Sequence, residues 1–192
     1  PTAPATLAPT GPSTSVAVAV APNLATQRQA AAADAMAQAQ GLWNAGSRDA
    51  ALDLMREAVE VAERGVGTGG TVVLVPLVRE LARMELAQGQ AGRVLEMLTR
   101  LEPAMGGQAD LWAVRGNAAQ RLGRHQESAN AYLQALRLRP DEPRWMLGAA
   151  VSLAAQGQVA TAADLAEKAR AGGAVSREVA TYLRQLGVPL HE

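Results

Sequence analysis

The sequence predicts an all-α protein built as about four stacked helix hairpins with one further helix capping the C-terminal end. Three observations carry this prediction. The first is composition: Ala dominates, aromatic residues make up 3%, Phe and Cys are absent, and strand formers are sparse after residue 80. The second is a repeat: Gly89, Gly123 and Gly157 stand 34 residues apart, each between two stretches with apolar residues at helical spacing. The third is that other columns keep the same register. Seven positions before each glycine come Ala82, Gly116 and Ala150; five after come Val94, Ser128 and Ala162. Nine after come Leu98, Tyr132 and Ala166, and twelve after come Leu101, Ala135 and Ala169.

A fourth copy lies upstream, centred on Gly46, with Ala39, Ala51, Met55 and Ala58 in the matching columns. The step from Gly46 to Gly89 is 43 residues, so nine have been inserted. The glycine-rich stretch from Gly65 to Thr71 marks the insertion and reads as a loop between repeats. The pattern predicts nine helices: 24–45 with 47–63, 74–88 with 90–102, 109–122 with 125–138, 143–156 with 159–171, and a last one over 176–186. Repeats are expected at 24–63, 75–104, 109–142 and 143–172, with a cap over 175–187, making one domain over 24–187.

The column residues explain one another. Two antiparallel helices joined by a tight turn approach closely only through small side chains, so Ala39 should meet Ala51, Gly116 should meet Ser128, and Ala150 should meet Ala162. Glycine at the turn lets the first helix end in a left-handed conformation that other residues resist. One hairpin cannot bury both of its faces, whereas stacked hairpins can, so the stability of such an array comes from nearest-neighbour interfaces. At the end, Ser176 is placed to cap the last helix, and Val179, Tyr182, Leu183 and Leu186 form the stripe that should cover the stack. The Ala-rich first helix (Ala30–Ala33, Ala35, Ala37, Ala39) has no evident polar cap before it.

Residues 1–27 carry no charge and hold five of the ten prolines. Residues 1–23 therefore read as an extended Pro/Ala/Thr-rich linker; a single strand at Val16–Val20 is the other reading of that segment. The chain opens at Pro1 without an initiator Met, which suggests a processed or truncated piece whose signal or anchor lies upstream.

Residues 109–142 resemble a tetratricopeptide repeat. Trp112, Gly116-Asn117-Ala118, Leu122-Gly123-Arg124, Ser128-Ala129, Tyr132, Ala135-Leu136 and Pro140 fall where that family's pattern has them. Residues 143–172 follow in register without the closing Pro; 32–63 and 75–104 are looser, with Val94 and Leu101 replacing small residues. The resemblance covers about four-fifths of the chain. It implies a right-handed superhelix whose concave face, lined by the first helix of each repeat, binds peptides or partner proteins without catalysis. The stretch Arg144-Trp145-Met146-Leu147-Gly148-Ala149-Ala150-Val151-Ser152-Leu153, followed by a short cap, also resembles the end of MSHA-type pilus biogenesis proteins. That resemblance implies a periplasmic protein tethered to the inner membrane by a segment absent here, with a cytoplasmic location as the alternative.

Counting along the first helices places Gln40 and Trp43, Arg79 and Arg83, then Asn117, Gln120 and Arg121, then Leu147, Val151 and Ala154 on the inner wall. Arg and Asn suit the carboxylates and backbone of a bound segment, so the expected partner is a protein or peptide, with acidic residues nearest Arg79 and Arg83. A solvated helix face is the plainer reading of those arginines. Trp112 and Trp145 fall in core columns; Trp43 is either a groove aromatic or a core residue. Stacking of repeats between chains would instead give a homo-oligomer.

Other classes find little support. Zero net charge argues against a nucleic-acid partner and against general attraction to acidic membranes. Without Cys, and with His125 (expected to be exposed) far from His191, there are no disulfides, no metal site and no nucleophile–base pair, so no catalytic residue and no cofactor is expected. The glycine-rich stretch lacks the preceding strand and the Gly-Lys-Ser/Thr ending of a phosphate-binding loop. Glu57, Glu60, Glu63 and Glu80 are spaced for exposed helix faces.

Overall fold

The structure, a computed structural model, describes residues 23–65 and 70–191. The linker and the strand alternative at Val16–Val20 lie outside these, as does the middle of the glycine-rich stretch. Among the described residues there are ten helices and no strand: α1 (Leu24–Asn44), α2 (Arg48–Arg64), α3 (Gly70–Ala87), α4 (Ala91–Arg100), α5 (Glu102–Met105), α6 (Ala109–Arg121), α7 (His125–Leu138), α8 (Pro143–Ala155), α9 (Val159–Ala171) and α10 (Arg177–Gln185). They form four hairpins, α1–α2, α3–α4, α6–α7 and α8–α9, each packed on the next.

The repeat columns are the core. Apart from the turn glycines, which are exposed, every column residue named above is buried except Ala58, which is half-buried. Gly116 meets Ser128 as expected, and the Ser128 hydroxyl donates to the Gly116 carbonyl at 2.8 Å. The four turn glycines have φ between 72° and 86°. At Gly123 the reason is plain: its N–H donates to Gln120 O, and the Arg124 N–H reaches back to Ala119 O, closing the helix end in a geometry that needs a left-handed residue. The same pair of bonds recurs at the other three turns.

The core changes character along the array. Over α1 to α6 it is filled by large side chains such as Met55, Leu74, Leu77 and Met84, each fully buried aliphatic stabilising by about 1.5–3 kcal/mol. Over α7 to α9 it is mostly Ala, with Tyr132 the one large buried ring. Small residues bring the backbones close, and polar links fill in: Gln120 Nε2 donates to Ser152 Oγ (3.0 Å), and Ser152 Oγ to Ser128 Oγ (2.8 Å).

Several expectations need correction. The nine inserted residues mostly lengthen helices: α2 has 17 residues and α3 18, against 13 or 14 in α6 to α9. Helix α3 starts at Gly70, four residues before the expected start, so Pro76 sits inside it; the carbonyl that loses its partner belongs to Val72, which is exposed to water. The helix expected over 90–102 breaks at Leu101, and Pro103 enters the first turn of the short α5. Helix α1 does have a polar cap, since Asn23 Oδ1 accepts from the Thr26 N–H at 2.9 Å.

At the C-terminal end Ser176 caps α10 as expected. Leu183 is buried, but Tyr182 is exposed. Its place is taken by Val188 and Leu190, which lie beyond the expected domain end at 187 and pack into the last core cluster. The His191 N–H donates to the Glu167 carboxylate at 3.1 Å and holds this tail against α9. Trp112 and Trp145 are half-buried, each with an arginine (Arg115 and Arg139) stacked on its ring. Glu63 and Glu80 are also half-buried, paired with Arg100 and Arg83.

Candidate functional site

First helices touch first helices along the array: α1 meets α3, α3 meets α6, and α6 meets α8. Second helices make no comparable contacts with one another among the described residues. An array whose elements crowd on one side curves toward that side, so the first helices form its inner wall.

At the N-terminal end of this wall Trp43, half-buried in the last turn of α1, is flanked by two guanidinium groups. Arg48, from the start of α2, lies 5.0 Å from the ring centroid, and Arg83 of α3 lies 5.7 Å away. Arg83 donates through Nε and Nη2 to Glu80, one turn earlier, at 3.0 and 2.6 Å. That hydrogen bond raises the Arg83 pKa above its usual value, outweighing the opposing effect of burial. Arg79 reaches across to α6 and donates through Nε to Asp110 at 2.5 Å. Burial alone would push the Asp110 carboxyl up, but the Arg79 hydrogen bond and charge, with backbone N–H donors, hold it below the usual carboxylate value. Arg121 ties α6 back to α3, donating to Leu86 O at 2.9 Å and to Asn117 Oδ1 at 3.0 Å.

The expected site residues thus fall into three sets. Trp43 with Arg83, Arg79 with Asp110, and Asn117 with Arg121 form separate polar groups on α1, α3 and α6, and Gln40 is exposed on α1. Gln120 is occupied within the fold, donating to Gly148 O and Ser152 Oγ and so joining α6 to α8. Leu147 and Val151 are half-buried against the last core cluster, and Ala154 is buried in it. Sequence reasoning missed Arg48 and Asp110. The Glu80–Arg83 spacing of three was a readable signal; the Arg79–Asp110 pair, which depends on how one repeat sits on the next, was not. These residues offer cations, amides and one aromatic face, groups suited to holding side chains and backbone. Among the described residues no three potential metal ligands cluster, and no helix is long and apolar enough to cross a membrane.

Residues 114–176 match the family model of the tetratricopeptide repeat. Over that stretch, which takes in most of α6 and all of α7 to α9, the hairpins match tetratricopeptide repeats. The matched segment is the Ala-rich part of the array, where the columns five and twelve after the turn glycine hold small residues; the second repeat has Val94 and Leu101 there. Among solved structures, one described as the crystal structure of MamA protein superposes with a TM-score of 0.62, covering 81% of this chain and 89% of that one at 14% identity. A second MamA structure, AMB-1, gives a TM-score of 0.48 at 20% identity, covering 79% and 97%. At such identities the first shows a shared fold and nothing more, and the second adds no weight. No curated protein sequence matches the chain.

Proposed function

We propose that the chain holds an extended or helical segment of a partner protein along the inner wall, anchored at Trp43 and read by Arg79, Arg83, Asn117 and Arg121. The observation that carries this reading is the Arg48–Trp43–Arg83 stack, which presents an aromatic face and two cations at one end of a curved wall. Acidic residues of the partner would lie nearest Arg79 and Arg83, in exchange with Asp110 and Glu80, which now neutralise them; Leu147 and Val151 would take an apolar side chain. Affinity for the native partner, recovered by co-purification of the tagged protein from its host, should fall in Arg83→Glu and Asn117→Ala. Unchanged affinity in both would remove the inner wall as the binding surface.

The setting belongs to the same proposal: a bacterial envelope assembly such as a pilus or secretion system, with the chain in the periplasm and tethered to the inner membrane. The uncharged, proline-rich residues 1–23 support it as a spacer. Fusion of a periplasm-dependent reporter enzyme to the native protein tests it, and an inactive reporter would return the chain to the cytoplasm. A second reading, self-assembly, is favoured by Leu24, Val61 and Val72, large apolar side chains exposed around α1, α2 and α3. Light scattering over a concentration series separates the two, since oligomers that grow with concentration favour self-assembly.

A further inference from the structure

A cleft of about 800 Å³ lies on the far side of α6 from the inner wall, between α5, the first half of α6 and the outward face of α7. On α6, Trp112 and Arg115 face it, and at 3.6 residues per turn they point away from Asn117 and Arg121. The cleft follows from the break noted above. Helix α4 has only 10 residues against 14 in α7, and the chain turns off into α5 at Leu101.

Its chemistry is specific. Arg115, Arg124 and Arg137 line it with only two carboxylates, Glu102 and Glu127. Both carboxylates are engaged: Glu102 with Arg115 at 2.7 Å, Glu127 with Arg124 at 3.6 Å. Among the described residues no carboxylate pairs with Arg137, whose Nε donates to the neutral Gln134 Oε1 at 2.9 Å. Among the described residues, Arg115 Nε and His125 Nδ1, both closed off behind the lining, have no hydrogen-bond partner. Along α7, Gln126, Asn130 and Gln134 recur every four residues in the lining. They make a stripe of amides about 12 Å long at 1.5 Å per residue, each able both to donate and to accept. An extended chain of about four residues spans the same length and needs that alternation of donors and acceptors.

We propose that this cleft is a second binding site, taking an extended peptide segment of a protein partner, with its backbone along Gln126, Asn130 and Gln134 and an acidic side chain on Arg137. The Trp112 ring, already stacked under the Arg115 guanidinium at 5.0 Å, supplies the apolar wall. The site shares no residue with the inner wall, so the scaffold carries two working faces and can hold two partners, or two segments of one, at once.

The test is a titration of the isotope-labelled full chain with the capped peptide acetyl-(Glu-Ala)4-amide, followed by amide and indole NMR at low salt, with acetyl-(Lys-Ala)4-amide alongside. Saturable shifts are expected at the Trp112 indole and at the Asn130 and Gln134 side-chain amides, with the lysine peptide silent. Arg137→Glu should weaken binding about tenfold or more and Arg137→Gln by less, while Arg93→Glu, on the exposed face of α4, should leave the shifts at Trp112, Asn130 and Gln134 unchanged. Arg137 is exposed and bonds only to Gln134, and the glutamine variant decides the matter if the glutamate one is poorly folded. Absence of saturable shifts, equal response to the lysine peptide, shifts confined to the Trp43 side, or full affinity in Arg137→Gln would each overturn the proposal.

Discussion

A glycine in the middle of a helix normally costs about 0.8–1 kcal/mol relative to alanine, so Gly148→Ala in α8 should stabilise the protein if helix propensity decides. The structure predicts the opposite. The Tyr132 ring of α7 is clamped between Gly148 and Gly116, glycines on the first helices of adjacent repeats. A Cβ added at Gly148 would lie 2.6 and 2.7 Å from ring atoms Cε2 and Cε1 and would also strike Cζ, whereas carbon atoms prefer about 3.5–4.0 Å. The ring cannot retreat, because the opposite side has no more room: a Cβ at Gly116 would be 2.7 Å from Cδ2. Overpacking of this kind costs about 1–3 kcal/mol. With the helix gain deducted from the upper part of that range, Gly148→Ala should be destabilised by about 1–2 kcal/mol. Gly41→Ala is the control, since Gly41 lies inside α1 with nothing within 4 Å of the added carbon, and it should gain up to about 1 kcal/mol. Urea unfolding followed by circular dichroism at equal slope would give both differences. A Gly148→Ala protein as stable as the parent would refute the clamp. Combining it with Tyr132→Leu should recover part of the loss, and that non-additivity would locate the clash.

Two further outcomes follow from the same part of the core. Burial raises the Tyr132 phenol from 10.0 to about 12, against a small opposing effect of Arg121. The unfolded chain therefore loses this proton first, and the stability held below pH 10 should decline by about 2–3 kcal/mol as pH rises toward 12. Ultraviolet phenolate titration should show the late step, and Tyr132→Phe should abolish both the step and the extra alkaline loss. Ser152→Ala removes the middle hydroxyl of the chain from Gln120 through Ser128 to Gly116, and should cost about 1–2 kcal/mol by urea unfolding; no loss would mean the chain adds nothing to the repeat junction.

How much was legible in the sequence depends on what kind of signal each feature leaves. The columns around Gly46, Gly89, Gly123 and Gly157 were readable because a turn that needs a left-handed residue and helices that need small contacts constrain identity at fixed spacing. The start of α3 was not: Gly70, Thr71 and Val72 carry no helix signal, and tertiary contacts of Leu74, Val75 and Leu77 hold that end in place. Val188 and Leu190 have no periodicity to betray them, since a two-residue tail buries side chains without forming an element. Trp43, Arg79, Arg83, Asn117 and Arg121 were readable as residue types on the first helices, whereas the engagement of Gln120 with α8 and the burial of Ala154 were not. Nor was the engagement of Arg79 with Asp110, because pairing across repeats depends on the axial register between hairpins. The cleft beneath Trp112 left no trace in the repeat pattern, as it arises where a repeat departs from its own length.

The two ends of the array are finished differently. Among the described residues, the tail with Val188 and Leu190 covers the last hairpin behind α9, whereas Leu24, Val61 and Val72 stay exposed on the first. A filament built head to tail would need a second open surface, and the sealed end supplies none. If copies of this chain join through the open hairpin, the union must be the same patch on the same patch, related by a two-fold axis, and it stops at a pair. A scaffold of this design would multiply its partners by doubling, with its growth limited by the few apolar residues that close one end.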